Sequence, residues 1–473
     1  MLACIRPLRI CADYTFSSFM PTMKDRENFF WKLPEYLTIL PLAVLGFLLS
    51  TPLGIVALLV WISIQHKRKP YRYSYVNGAC TSFKTNYGIA TTNLCLLPEC
   101  VSRFNNLFNS KWRATEIGRR IVEQQQKYEN DNNSNDTEPC HERSDHKHIA
   151  EVFRHDISET FPSIDFLLVQ EAFDLGYTQD LVTRLHAVFP YIIYDVGLTS
   201  FRSNMYTFNS GLLFASKYPI EKVHFNWYKQ SCNQCRLASK GVLQVKVRLA
   251  SLNDGRNIVG YIFNTHLQSY EGDLPIQKQQ LTDLLEWTEL FRQTTLNSND
   301  IIAFDLLGGD FNLDNMSPAH RETRVHRLFT SYEDVCCVMP GNDYNWTVGT
   351  EMRQIPLQDH SISTPEGLKR ALEDPRSRQY YILDADVHIA TMKSLATMAK
   401  TDQDGNVLLS PTGGRRRVDL ILYRNVQDDT SHVSPLRVTS YSAVTQLATL
   451  TDHIPVAITF NIDHDRFSKK RNI

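Results

Sequence analysis

The sequence predicts an α/β fold, a four-layer sandwich of two mostly antiparallel β-sheets flanked by helices, preceded by an N-terminal hydrophobic helical anchor. Three observations lead there. From Ile164 onward short apolar segments recur: "IDFLLVQEAF", "YIIYDVG", "NSGLLFAS", "GVLQVKVRLA", "NIVGYIFNTHLQS", "IIAFDLLGGDFNLDN" and "RRVDLILYR". Each has the length of a strand and ends in turn residues or polar groups. Few helical segments separate them ("IQKQQLTDLLEWTELF" is one), which disfavours a parallel βαβ repeat. The third observation is that Tyr36 to Ile64 passes without a charged residue, a run longer than the roughly 20 residues that span a bilayer.

Within that run Ser50-Thr51-Pro52 separates two pieces, each short for a crossing. The expectation is a re-entrant hydrophobic hairpin over about 36–64, with a single kinked, tilted span as its competitor. Lys24, Arg26 and Lys32 precede it and His66-Lys67-Arg68-Lys69 follow it. Positive charge on both flanks suits a hairpin whose ends face the cytosol and meet acidic headgroups. Residues 1–70 are therefore read as a membrane-anchoring segment and 71–473 as the catalytic domain. The tract "QQQKYENDNNSNDTEPCHERSDHKH" abandons any apolar period, so a flexible polar insert is expected at about 124–148. Its His141, His146 and His148 lack zinc-site spacing and are read as solvated.

Composition narrows the function. The chain has 473 residues, 42% hydrophobic and 21% charged, which is ordinary globular content. Its net charge of -1 gives no reason to expect a nucleic-acid binder. Ten scattered Cys and no secretory signal point to a reducing compartment for the catalytic domain. Cys232-Asn233-Gln234-Cys235 is a solitary C-x-x-C and is read as structural thiols. Arg6, Arg9 and two Ser in the first 20 residues hint at mitochondrial targeting, leaving Golgi, endoplasmic reticulum and plasma membrane open.

Several strands end in residues that a core does not need. "FLLVQEAF" delivers Glu171, "YIFNTHLQS" delivers His266, and "AFDLLGGDFNLD" delivers Asp310 and Asn312 after paired glycines. "RRVDLILYR" holds Asp419 among apolar neighbours, and the final strand of "LTDHIPVAITF" begins beside Asp452-His453. Strand ends of one layer converge, so these side chains can share a rim. Carboxylates with an amide oxygen, and no clustered Cys, suit a hard cation such as Mg²⁺. Two separated His supply a base and a proton donor or oxyanion stabiliser, with Asp419 orienting its neighbour. The set fits water attack on a phosphoester. A G-D-x-N string alone is common, but [ST]-D-H-x-P-V arises by chance on the order of once in several thousand proteins. Found in order with the others, it marks Asp452-His453 as catalytic rather than as a polar turn.

With these motifs in order, Gln170-Glu171, Asn209-Ser210-Gly211, Thr265-His266-Leu267, Gly309-Asp310-Phe311-Asn312, Arg417-Val418-Asp419 and Asp452-His453, the chain resembles the Mg²⁺-dependent endonuclease/exonuclease/phosphatase superfamily. Its "TTNLCLLPECVSRFNNLFNSKWRATEIGRRI", "LASKG" and "LTDHIPVA" are similar to the membrane-anchored neutral sphingomyelinases. The resemblance implies a DNase I-like fold and Mg²⁺, with Mn²⁺ as a substitute. It implies Glu171, Asn93 and Asp452 at the metal, and Asp310 and Asn312 positioning water and phosphate oxygens. It further implies His266 on the leaving group or transition state, His453 as base, and Lys240 against the phosphate. Asn209, Arg417 and the Lys67-Arg68-Lys69 cluster are weaker candidates for substrate and lipid contact. Cys235-Arg236 stand where relatives carry acidic residues, a departure that removes any Asp–Lys pairing at Lys240.

The expected reaction is hydrolysis of sphingomyelin to ceramide and phosphocholine at a bilayer surface, with acidic phospholipids as activators and no nucleic-acid partner. The alternatives are a related phosphodiesterase acting on nucleic acid, inositol phosphate or lysophospholipid, and a non-enzymatic membrane scaffold.

Overall fold

A computed structural model of the chain describes residues 2–65, 68–78, 82–135, 153–197, 200–201, 205–206, 208–269, 274–385, 398–424 and 436–462. Its strands run β1 (Arg72–Tyr75), β2 (Asn86–Asn93), β3 (Arg154–Ser158), β4 (Phe166–Gln170), β5 (Tyr191–Tyr194), the short pair β6 (Ser200–Phe201) and β7 (Met205–Tyr206), β8 (Leu213–Ser216) and β9 (Ile220–Trp227). They continue as β10 (Gly241–Ser251), β11 (Asn257–His266), β12 (Asp300–Asp310), the short pair β13 (Cys337–Met339) and β14 (Asn342–Asp343), β15 (Asp419–Tyr423), β16 (Leu436–Val444) and β17 (Val456–Ile462).

Two sheets result. One has eight strands in the order β1-β5-β8-β4-β2-β17-β16-β3, the other five in the order β15-β12-β11-β10-β9. Most neighbours are antiparallel. The parallel pairs are β2 with β4, β3 with β16 and β11 with β12.

The apolar runs are explained by burial on both faces of each sheet. In β4, Phe166 and Leu168 face the inter-sheet core with Tyr87, Phe214, Leu243, Ile262 and Phe304. The alternate residues Leu167 and Val169 face outward. There they meet Ile117 and Ile121 of helix α5 (Ser110–Asn135) and Leu181 and Leu185 of α6 (Leu175–Leu185). The outer face of the five-stranded sheet packs Val242, Val259 and Phe263 against Leu281, Leu284 and Phe291 of α7 (Leu274–Thr295). Each fully buried side chain of this kind stabilises by about 1.5–3 kcal/mol. Helix, sheet, sheet and helix layers are as the sequence predicts.

The N-terminal region departs from expectation. Instead of a hairpin over 36–64, the chain forms one continuous 37-residue helix, Phe29–Gln65, with Pro34, Pro41 and Pro52 inside it. Beside Pro52, Ser50 Oγ donates to Gly46 O at 2.7 Å and Thr51 Oγ1 to Phe47 O at 2.7 Å, while the N–H lost at Pro52 leaves the carbonyl of Leu48 without its helical donor. Its segment Phe29–Ala57 is long and apolar enough to cross a membrane. Helix Leu2–Ser18 packs beside it through Phe16 on Phe47, ring centroids 5.8 Å apart. That shorter helix also touches the two-sheet body, where Arg9 pairs with Asp174 at 2.7 Å and Asp13 accepts the Cys100 N–H at 3.1 Å.

The polar insert also begins later than expected. Helix α5 continues to Asn135 because its Glu, Gln and Lys residues favour helix without any apolar period. Gln125 is fully buried and bonds both Pro162 O and the Ile164 N–H. His141, His146 and His148 lie outside the described residues, as does Lys67.

Candidate active site

Strand register assembles the site. β2 and β4 run parallel and pair Asn93 with Gln170, so Asn93 and the following Glu171 emerge together. β17 runs antiparallel to β2 and starts with Val456 opposite Thr91, which brings Asp452-His453 to the same end. In the second sheet, parallel β11 and β12 end with His266 opposite Asp310, and antiparallel β15 starts with Asp419 opposite that same Asp310. Each sheet thus contributes half of one cluster.

Backbone conformation sharpens the placement. Glu171 and Asn312 have φ of 58° and 50°, left-handed values uncommon for residues with a Cβ. Gly309 has φ +142°, and a Cβ there would lie 2.0 Å from Thr265 O. Only glycine lets β12 close on β11 before Asp310.

The cluster is tight and acidic. Glu171, His266 and Asp310 offer atoms within 4.8 Å of one another, and so do Asp310, Asp419 and His453. Asn93 Nδ2 donates to Asp310 Oδ2 at 3.0 Å, and His266 Nε2 lies 3.4 Å from the same oxygen. The Asn312 N–H donates to Asp310 Oδ1 at 2.9 Å. His453 Nδ1 is 2.8 Å from Asp419 Oδ2. Lys240 Nζ lies 2.7 Å from His266 Nε2 and donates to Leu267 O at 3.0 Å. Because an ammonium only donates, His266 accepts through Nε2 and its own proton sits on Nδ1.

Electrostatics separate the two imidazoles. Burial, reinforced by Lys240 and His453, holds His266 well below its ordinary pKa, so it is neutral. Burial opposes charge on His453 too, but Asp419, aided by Asp310 and Asp452, outweighs it and raises that ring well above its ordinary value. Burial and the Asp452 carboxylate push Glu171 up to about 7.

The donor set fits a hard divalent cation. Asp452 Oδ1 and Asp419 Oδ1 are buried and find no hydrogen-bond partner among the described residues. Three carboxylates and an amide crowd together, and oxygen donors of this kind match Mg²⁺ rather than a thiolate-seeking metal. No described Cys joins the group.

Not every expected residue reaches it. Arg417 is 1% exposed and pairs with Asp334 at 2.6 Å and Asp343 at 3.0 Å, so burial in that ion triad corrects its assignment to lipid contact. Arg416 is likewise buried and pairs with Glu351 at 2.5 Å. Arg68 is engaged by Asp195, which corrects its assignment to the bilayer, whereas Lys69 is exposed. Asn209 uses both ends internally, donating to Asp195 Oδ1 at 3.0 Å and accepting the Gly211 N–H at 2.9 Å, so it steadies the turn beside Glu171 rather than facing substrate.

Other residues were not foreseen. Asn264 of β11 accepts from Gln170 Nε2 at 2.7 Å and donates to Val169 O and Leu213 O, a polar tie across the two sheets. Thr350 Oγ1 receives the Asp419 N–H at 3.1 Å. Asn105 Nδ2 donates to Asp452 Oδ2 at 2.8 Å. An isolated Asn or Thr carries no motif, so only the odd placement of an amide inside an apolar strand, as at Asn264, signals such a role.

Comparison with known proteins gives a consistent picture. No family model matches the chain. It is 37% identical over 320 residues to human sphingomyelin phosphodiesterase 3, covering 66% of this chain and 47% of that protein. It is 30% identical over 464 residues to mouse sphingomyelin phosphodiesterase 5, covering 95% of this chain and 88% of the relative. The matched segment thus spans about half of the first relative and most of the second. Among solved structures, sphingomyelinase C of Streptomyces griseocarneus aligns with a TM-score of 0.42 at 14% identity, over 80% of this chain and 99% of that one. A Staphylococcus aureus beta toxin variant with bound magnesium ions aligns at 0.42 and 16%, over 79% and 99%.

Proposed function

Since the chain belongs to the sphingomyelin phosphodiesterase family, we propose that it hydrolyses sphingomyelin to ceramide and phosphocholine at a membrane surface, in a Mg²⁺-dependent phospholipase C-type reaction. The observation that carries the reading is the His453–Asp419 pair at 2.8 Å clustered with Asp310, a carboxylate that Glu171 and His266 also approach.

In this reading Glu171, Asn93 and Asp452 hold Mg²⁺, or Mn²⁺ in its stead, and the ion supplies charge stabilisation for the phosphodiester. Asp419 fixes the His453 ring through Nδ1, which leaves Nε2 to take a proton from the attacking water. Asp310 and Asn312 orient that water and the phosphate oxygens. Lys240 presents positive charge toward the phosphate, and it holds His266 at the leaving-group side. Residues 1–70 anchor the chain and 71–473 carry the chemistry. An anchored enzyme reaches a lipid headgroup without extracting the lipid, which favours a lipid over nucleic acid or inositol phosphates. Acidic phospholipids would strengthen docking through Lys67 and Lys69. The host membrane is mitochondrial, endoplasmic reticular, Golgi or plasma membrane, with the catalytic domain on a reducing side.

The test is purified full chain with sphingomyelin vesicles, with and without Mg²⁺, beside phosphatidylcholine, DNA and inositol phosphates. Mg²⁺-dependent phosphocholine release from sphingomyelin is expected. Release that persists undiminished in His453→Ala overturns the mechanism, and turnover of another panel member alone overturns the substrate.

A further inference from the structure

Between the N-terminal helices and the acidic cluster lies one short 3-10 turn, Arg103–Asn105, closed by Asn106 in a left-handed conformation (φ 57°). Its side chains diverge. Arg103 Nη1 pairs at 2.5 Å with Asp25, a buried residue of the helix Met23–Glu27 that precedes the long apolar helix. Asp25 also receives Lys32 from that apolar helix. Asn106 Oδ1 accepts the Met23 N–H at 3.0 Å, while its Nδ2 donates to Gln354 O at 3.0 Å. Asn105 points the other way. Its Nδ2 donates to Asp452 Oδ2 at 2.8 Å, and its Oδ1 accepts from Gln354 Nε2 at 3.0 Å.

The Asn105 amide is thus held at both ends. Gln354 fixes its oxygen, so its nitrogen has one orientation and fixes the Asp452 carboxylate in turn. Asp452 Oδ1 is left buried without a partner among the described residues. Donors of this kind orient metal-binding carboxylates, and removing one typically costs 10–100-fold in metal affinity. Arg103 and Asn106 tie the same turn to the anchor, so the seating of the N-terminal helices and the orientation of a site carboxylate share one rigid element.

Resting on the functional reading above, we infer that Asn105 is a positioning residue for Asp452 and that the Arg103–Asn106 turn is the mechanical link between the N-terminal helices and the metal side of the site. Asn105→Leu keeps the volume and removes the donor. Arg103→Met loosens the far leg of the link without touching the site.

The experiment measures Mg²⁺ binding calorimetrically on the full chain in nanodiscs that contain no sphingomyelin, together with Mg²⁺-free melting and the Mg²⁺ dependence of turnover. The expected result for Asn105→Leu is a Kd for Mg²⁺ raised about 10-fold or more. Turnover at saturating Mg²⁺ should recover to within about threefold and the Mg²⁺-free melting temperature should hold within about 2 °C, since removing a ligand-orienting contact is not loss of a core. Arg103→Met should raise the Kd in the same direction by a smaller factor, and the double variant should show less than the product of the two. Unchanged Mg²⁺ affinity in Asn105→Leu overturns the positioning role. A Kd shift matched by a collapse in Mg²⁺-free melting overturns it in favour of packing alone. Unchanged affinity in Arg103→Met overturns the link to the anchor. A wild-type chain that binds no Mg²⁺ overturns the functional reading itself, an outcome distinct from the other three.

Discussion

His453 and Asp419 meet at 2.8 Å although they belong to different sheets, His453 just before β17 and Asp419 at the first position of β15. The pair therefore closes the gap between the layers with a charge-assisted hydrogen bond. Such a bond fixes the imidazole tautomer and favours the imidazolium that forms during proton abstraction.

Removing the proposed base and removing its partner should each cost heavily. His453→Ala is expected to lower kcat by about 10³-fold or more, and Asp419→Asn by about 10²–10⁴-fold because the ring loses its orientation. Circular dichroism should remain native in both. An Asp419→Asn enzyme with full activity would contradict the assignment.

The acidic half of the site should govern the metal requirement. Glu171→Gln and Asn93→Ala are each expected to raise the Mg²⁺ concentration at half-maximal activity by at least about tenfold. Chelation should abolish turnover reversibly, with Mn²⁺ restoring part of it. Activity insensitive to chelator would remove the metal from the mechanism.

Lys240 and His266 form a second testable pair. Burial, Lys240 and His453 together keep His266 neutral, so Lys240→Met should move the His266 titration toward its ordinary range in an NMR pH series. Turnover should fall by about 10–100-fold as the phosphate loses a cation. A His266 ring that titrates identically in the variant would show that the 2.7 Å contact is without electrostatic effect.

Stability should carry a pH signature away from the site. Asp314 is fully buried, and that burial, only partly offset by Arg416 and Arg417, pushes its carboxyl up to about 7. The folded value exceeds the unfolded one of about 4, so the native state binds the extra proton between them. Its stabilising effect is complete below about pH 4 and is lost as pH rises through about 7. Asp314→Asn should flatten the fall in melting temperature across pH 5–7.5, and an unaltered profile would refute the shift.

The helix Phe29–Ala57 predicts partition into membranes. Deletion of residues 2–65 should move the chain from the membrane to the soluble fraction on sedimentation, and should lower melting because Asp174 and Arg103 lose their partners, Arg9 and Asp25.

The sheets, the layering and the central residues were legible because their signals are local: short continuous apolar runs such as β4, buried at every position, and polar residues at the exits of β11 and β12. Glu171, His266, Asp310, Asp419 and Asp452-His453 converge because register, not sequence distance, decides who meets. The hairpin gave way to its competitor, the single span, because prolines are accommodated inside a long apolar helix rather than ending it. Arg417 was not legible as a buried ion-pair residue because its partners, Asp334 and Asp343, arrive from elsewhere in the chain. Asn105 gives no local signal, since its role depends on a residue 347 positions away.

With the clustered side chains divided between two layers, their spacing is set by the packing beneath them. Gly308 of β12 lies against Leu168 of β4, and a Cβ on it would sit 2.7 Å from Leu168 Cδ1 and 3.2 Å from Leu420 O. A bulkier residue at Gly308 would act as a wedge, prising the layers apart and spreading Glu171 from Asp310 without altering either. The clustered side chains are accordingly vulnerable to displacement from the interior, and substitutions in the inter-sheet core should be expected to disable the proposed chemistry in proteins that still fold.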